Sequence, residues 1–543
     1  MQVSDYVDIA RWYPGSLLQR DRTGKRRFPH VEGAVRLDYG CFGMAPSRAV
    51  GAPRLSFDDR SSPSREKYRS ALDLARRETI EFQSLLQVLV ARLCSAVQAW
   101  NATVGSTHLT CGLRHAQLPY WRRSMAREWT NWSGSVSAHP AEIAHPTTEA
   151  ELACVVSSAR KLRVVGAGHS FMPLCDTDGT LVSLHDLAGE LELSADQTRA
   201  WAPAGWSLAT LTAALWNQGA SLINQGDVNP QSLAGAISTG THGTGVTLGS
   251  LSTAARAFRL MLADGSVVTC SRTERPDLFE AQRLSLGLLG VVTRIEIDVV
   301  PAYHLEERVE SHPLEEVGER WDELAAVNRH VEFFVFPYGD NALLKTLNPA
   351  PAEGALEHMQ DIDEEPFRRF CDACAETPSR TRTLQSQIVR PNVRQRRVGP
   401  AYQIFPSDRT IPFEEMEYEL PRANGWAALR EVIAWIRRHE LPVTFPFEFR
   451  LAAADDIWLS PFNARDCSSI SMHQYARMPW RDLFTDAEAI FRAHGGRPHW
   501  AKRHTLTAHD VDALYPDAGR FRAVRAASDP EGKFTNAHLA ALF

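Results

Sequence analysis

The chain has 543 residues, 44% hydrophobic and 23% charged, with a formal net charge of −6. At about 150 residues per domain, that length makes three or four units with ample apolar material for cores. The slightly negative balance excludes a basic nucleic-acid binder, and no apolar run reaches the ~18 residues that span a bilayer.

The nine cysteines are scattered and odd in number, which points to a reducing compartment, the cytoplasm. Cys371-Asp-Ala-Cys374 has no second pair to complete a zinc site, so no metal is expected. Residues 1–8 lack a basic-then-apolar signal pattern. Without one, Asn101-Ala-Thr103 and Asn131-Trp-Ser133 read as chance matches to the glycosylation pattern.

Residues 1–126 read as an N-terminal extension of unknown role. Residues 35–40 predict a strand running into a turn, and 102–113 a strand with a small-residue turn. Residues 66–93 predict a helix, with Leu85, Leu86, Leu89, Val90 and Leu93 at three-and-four spacing. Leu37-Asp-Tyr-Gly-Cys-Phe-Gly43 and Gly105-Ser-Thr-His-Leu-Thr-Cys-Gly112 loosely resemble the start of a class V aminotransferase. The rest of that fold does not follow, so no transaminase chemistry is expected.

Residues 127–301 predict an α/β unit. Thr147 caps a helix that runs to about Lys161, with acidic residues in its first turn. Strands follow at 162–165 and 180–184, then a helix at 207–218. Further strands are predicted at 257–262, 267–270 and 293–300, with Pro301 as a boundary.

Residues 302–543 predict an antiparallel unit with helices over one face. Residues 331–336 and 413–420 read as strands, and 425–439 as a helix with Leu429, Val432, Ile433 and Ile436 on one stripe. Residues 350–400 read as loop with short helices. Val443–Leu451 reads as a strand with alternating faces: five apolar residues on one, Glu448 and Arg450 on the other. By that pattern alone, the charged face meets either solvent or a polar cavity. Ser468–Ala476 alternates similarly, with Ser471, His473 and Tyr475 on one face.

Two small-residue stretches organise the chain. Arg163-Val-Val-Gly-Ala-Gly-His-Ser-Phe171 is a short strand that breaks into a turn. Small residues there let backbone N–H groups approach an anion. Pro173 argues against a helix after the turn, so a dinucleotide fingerprint of the GxGxxG kind is not expected. The second stretch is Asn224-Gln-Gly-Asp-Val-Asn-Pro-Gln-Ser-Leu-Ala-Gly-Ala-Ile-Ser-Thr-Gly-Thr-His-Gly-Thr-Gly245.

Together these stretches resemble the FAD-linked oxidases of the vanillyl-alcohol-oxidase type, in the branch of sugar-acid lactone and alditol oxidases. Trp129-Thr-Asn-Trp-Ser-Gly134 resembles the opening of the lactone-oxidase branch, and Arg497-Pro-His-Trp-Ala-Lys502 its His-Trp-x-Lys signature. The resemblance runs from about residue 127 to the C-terminus. It implies an α+β fold: a two-subdomain FAD-binding domain of the PCMH type at 127–301, and a cap with a large antiparallel sheet at 302–543. The C-terminal segment of the cap is expected to return to the flavin.

The implied FAD ligands are Gly166, Ala167, Gly168, His169 and Ser170 on the first stretch. On the second they are Gly226, Asp227, Ser232, Gly235, Ser238, Thr239, Thr241, His242, Gly243, Thr244 and Gly245, with Val292 further on. The family's histidine at position 169 commonly bonds to the flavin 8α carbon. The implied catalytic set is Glu448, Arg450 and Lys502, with His473 and Tyr475 lining the substrate pocket. In that reading Glu448 holds a substrate hydroxyl and orients Arg450, while Arg450 and Lys502 stabilise developing negative charge.

The implied reaction is hydride transfer to flavin N5 from an alcohol carbon of an L-gulono-1,4-lactone-type sugar lactone, giving an ascorbate-like product. Oxygen or another acceptor reoxidises the flavin. The alternative is an alditol oxidase acting on the C1 alcohol of polyols such as xylitol or sorbitol. A non-catalytic flavin or sugar-acid binder is the third reading, and the intact Glu448, Arg450 and Lys502 argue against it.

Overall fold

A computed structural model describes residues 122–125, 128–351, 364–386, 393–407 and 409–543. The elements expected before residue 122, and the aminotransferase-like stretches, lie outside the described residues.

The first sheet has the order Arg122–Met125, Glu142–His145, Thr180–Ser183, Leu162–Val165, with its last three strands parallel. The helix that crosses over it is Glu149–Ser158, shorter at both ends than expected. Thr148 rather than Thr147 is its N-cap, because Thr147 instead donates its N–H and hydroxyl to the Glu151 carboxylate. A second, antiparallel sheet runs Val267–Ser271, Ala255–Met261, Val291–Asp298, Arg199–Pro203, Glu192–Leu193. Helix Leu208–Asn217, capped by Ser207, packs its leucines into the same core. Within the second small-residue stretch, Leu233–Thr239 forms a short helix that the glycines concealed.

The third sheet has eight antiparallel strands. Their order is Arg394–Pro400, His304–Pro313, Asn341–Ala350, His330–Val335, Phe447–Ala452, Cys467–Tyr475, Phe413–Pro421, Arg497–Pro498. Period-two alternation gives this sheet two unlike faces. Val331, Phe333, Phe447, Phe449, Leu451, Ile470, Met472, Met416, Tyr418 and Leu420 make one core. Helices Gly425–His439 and Arg481–Ala493 bury their apolar stripes in it. Register then forces the alternate residues onto the other face. Glu415 stands opposite His473, Glu417 opposite Ser471, and Ser471 in turn opposite Glu448.

The strand expected at 443–451 begins only at Phe447. Pro442 and Pro446 cannot donate to a ladder, and the Thr444 N–H turns to the Gln474 side chain at 3.2 Å. Strands 304–313, 341–350 and 394–400 were not expected. The last is an arginine-rich edge strand, and charge is how edges resist further pairing.

The C-terminal segment returns to the first two sheets. Phe171 N–H donates to Ala501 O at 2.7 Å, and Leu162 N–H to Lys533 O at 2.8 Å. Trp500, Tyr515, Phe521 and Leu542 complete the core around Phe258 and Ile295. Among the described residues, no helix is long and apolar enough to cross a membrane.

Candidate active site

The turn that follows strand Leu162–Val165 is built for close approach. Gly168 has φ +71°, a conformation that favours glycine. Asn131, buried and so no glycosylation site, braces the turn: its Nδ2 donates to Ser170 O at 3.0 Å. Among the described residues, no backbone carbonyl accepts from the N–H groups of Ala167, Gly168, His169 or Ser170. The second small-residue stretch closes on itself nearby. A Cβ at Gly243 would lie 2.1 Å from Gln225 O, so only glycine fits.

One cavity of about 860 Å³ joins this turn to the polar face of the large sheet. His169, Glu448, Arg450, Lys502 and His473 all line it. So do the expected cofactor residues except Gly243, Thr244 and Gly245. Two of those three, Thr244 and Gly245, pin the sheet instead. The Thr244 hydroxyl donates to Val331 O and accepts from Leu451 N–H, and Gly245 N–H donates to Leu451 O at 2.9 Å. Asp227 lines the cavity, but its carboxylate is committed to Arg409, Ser407 and Lys345. Tyr475 does not line it. Its side chain packs among Phe336, Phe367 and Phe445, and its hydroxyl donates to Asp372 at 2.9 Å.

Glu448 and Arg450 are each 6% exposed. Their nearest atoms, Arg450 Nε and Glu448 Oε1, are 3.5 Å apart, yet neither atom has a hydrogen-bond partner. Such buried, unpaired atoms are costly unless a ligand completes them. Arg450 is held from the other side: Nη2 donates to Glu417 and, at 3.3 Å, to the Ser471 hydroxyl. Glu417, not Glu448, is the carboxylate hydrogen-bonded to it. Lys502 pairs with Glu415, whose other oxygen lies 3.3 Å from His473 Nε2.

Burial raises the Glu448 pKa, Arg450 and more weakly His473 oppose it, and the carboxylates of Glu332 and Asp227 add to it, leaving it at about 7. Burial also lowers the His169 pKa, helped by Lys502, to about 4, so the ring is neutral near pH 7. Its ring stacks on Trp132, centroids 5.4 Å apart.

The D-arabinono-1,4-lactone oxidase family matches residues 295–542, and the FAD binding domain matches residues 140–271. L-Gulono-1,4-lactone dehydrogenase of Mycobacterium tuberculosis is 38% identical over 425 residues, covering 76% of this chain and 98% of that protein.

The chain belongs to the FAD-dependent aldonolactone oxidases and dehydrogenases.

L-Gulonolactone oxidase of Mus musculus is 29% identical over 77% of this chain and 98% of its own. Alditol oxidase of a Streptomyces species is 31% identical over 76% and 99%. The solved cholesterol oxidase of B. sterolicum shares the fold, with a TM-score of 0.69 at 16% identity over 79% of this chain and 99% of that one. This is the PCMH-type FAD-binding fold.

The cavity fits FAD. The 167–170 turn offers N–H groups to a pyrophosphate. Gln231 Oε1 and Gln282 Oε1 line the cavity, buried and without a partner, and need donors of the kind that flavin hydroxyls supply. His242, Glu417 and His499 bring atoms of metal-ligand type within 4.8 Å of one another. Arg450 and Lys502 already supply the positive charge that a cation would bring there.

Sequence reasoning missed Glu415, Glu417, His499 and Arg409. The first two had a signal: Glu415, Glu417 and Glu419 alternate with Met416, Tyr418 and Leu420 on one predicted strand.

Proposed function

We propose that the protein oxidises an alcohol carbon of a sugar-acid 1,4-lactone of the L-gulono-1,4-lactone type, giving a keto lactone that tautomerises to an ascorbate-like enediol. FAD, when bound, supplies the two-electron acceptor. The observation that carries this reading is the unpaired Glu448 Oε1 and Arg450 Nε side by side in the wall of the cavity that also holds His169. One is an acceptor and the other a donor, the pair that a substrate hydroxyl needs. As the carbon is oxidised, its oxygen gains negative charge, and the Arg450 and Lys502 cations stabilise it. Glu448, with its pKa near neutrality, is placed to take the hydroxyl proton.

His169 is the residue we assign to the covalent flavin link. Its neutral ring nitrogen is nucleophilic, and Trp132 fixes the ring plane. Acid-precipitated protein should stay yellow, and His169→Ala protein should release its flavin. A colourless wild-type precipitate would remove the link from the account.

A cytoplasmic setting belongs to this reading, and the six described cysteines are all free. The likeness to the Streptomyces alditol oxidase favours polyols as a second substrate class. Steady-state rates with L-gulono-1,4-lactone and with xylitol decide between the two. The lactone should give the higher kcat/KM, and a preference for xylitol would reverse the assignment. Measuring oxygen uptake against dye reduction in the same assay assigns the electron acceptor.

A further inference from the structure

The Glu417 carboxylate is 1% exposed and lies between three cations that come from separate parts of the chain. Its Oε1 accepts from Arg450 Nη2, two strands away across Cys467–Tyr475, and from Ser469 Oγ on that intervening strand at 2.7 Å. His242 Nε2, from the second small-residue stretch, lies 3.0 Å from the same oxygen. Oε2 faces Lys502 Nζ at 3.8 Å.

His242 also places Nδ1 2.8 Å from Gly243 O, a carbonyl that can only accept. Nδ1 therefore carries a proton. Nε2 faces two carboxylates, Glu417 at 3.0 Å and Glu419 at 3.3 Å. Both ring nitrogens act as donors when the ring is an imidazolium. Arg450 meanwhile stops short of a hydrogen bond with Glu448, although the two are only 3.5 Å apart. Among the described residues, the carboxylate hydrogen-bonded to the guanidinium is Glu417.

We propose that Glu417 is the positioning residue of the reaction: it draws Arg450 away from Glu448, so that the two present an open donor–acceptor pair to substrate. It also ties the flavin-side His242 and the C-terminal Lys502 to the same point. The proposal rests on the reading that Arg450 acts on substrate. It adds that with Glu417 neutralised, Arg450 closes onto Glu448 and the two satisfy each other.

Glu417→Gln keeps the shape and removes the charge. The expected result is unchanged flavin content, a lowered Tm because buried cations lose their counter-charge, a raised KM, and a kcat/KM lowered by about 10²-fold, the scale of a small misplacement in an active site. Combined with Arg450→Lys, it should cost nothing further, because both act through the same guanidinium. Unchanged kcat/KM in Glu417→Gln, or losses that multiply in the double variant, would overturn the proposal. If Glu417→Gln does not fold with flavin, Ser469→Ala decides. It removes one donor to Oε1 and leaves the charge, so KM should rise several-fold with the flavin spectrum unchanged; an unaltered KM counts against the proposal. Full turnover in Arg450→Ala is a separate failure, that of the functional reading itself.

Discussion

At the residue scale, the site is a set of charges that neutralise one another in pairs and leave one pair open. Lys502 is matched by Glu415 and Arg450 by Glu417, while Glu448 and Arg450 Nε face each other without a bond. This gives Glu448 a definite pH signature. Its carboxyl is raised to about 7, chiefly by burial, so it is protonated below that pH and ionised above it. As a proton acceptor it makes kcat/KM rise as the pH passes upward through about 7. Glu448→Gln should lower turnover and flatten that limb of the profile. A profile in Glu448→Gln with the same midpoint as wild type would place the titrating group elsewhere.

His169, Glu448, Arg450 and Lys502 were expected at one site because each sits in a short run of distinctive neighbours, and all four line the same cavity. Glu417 was not, because an acid alternating with apolar residues also fits a strand with one face in solvent. Alternation fixes which residues share a face, not what that face meets. Tyr475 shows the same limit. It shares a face with His473, yet two residues along the strand the cavity wall has given way to an aromatic cluster.

At the element scale, the strand Phe447–Ala452 matters most, because one face builds a core and the other the site. Phe449 is 1% exposed and stacks on Phe333 with centroids 4.9 Å apart and planes 10° from parallel. Phe449→Ala should cost about 3–5 kcal/mol of stability through the cavity it leaves. Denaturant unfolding measures this directly, and a loss under about 1 kcal/mol would mean that the face is less tightly packed than described.

Helix Gly425–His439 was readable to the residue, because its apolar stripe is unbroken and Pro442 follows it. Strands His304–Pro313 and Asn341–Ala350 were hidden. One is interrupted by charge on both faces, and the other carries Pro349 near its end. Their pairing is decided by neighbours far along the chain, which a local pattern does not contain.

At the scale of the whole molecule, the flavin side and the cap are one construction. The second small-residue stretch is bonded to the strand that carries Glu448 and Arg450, and the C-terminal segment crosses back to brace the first turn. Arg163 marks the junction. It is buried, and its guanidinium donates to the carbonyls of Leu174, Leu286, Gly287 and Phe534, from three separate segments. Arg163→Leu leaves those carbonyls without a donor, each worth about 1–3 kcal/mol when buried and unpaired. The variant should lose flavin and unfold at lower temperature together. Normal flavin content with a lowered Tm would separate the junction from the cofactor site.

The central claim is that one cavity holds a sugar lactone against the flavin, with Glu448 and Arg450 gripping the hydroxyl of the carbon that gives up its hydride. Anaerobic mixing of flavin-loaded protein with L-gulono-1,4-lactone tests it most directly. The yellow flavin absorbance should bleach in wild-type protein. In Arg450→Ala protein the colour should persist, with bleaching slowed by about 10²–10³-fold. Wild-type protein that stays yellow with lactones and polyols alike, or Arg450→Ala protein that bleaches at the wild-type rate, would contradict the account.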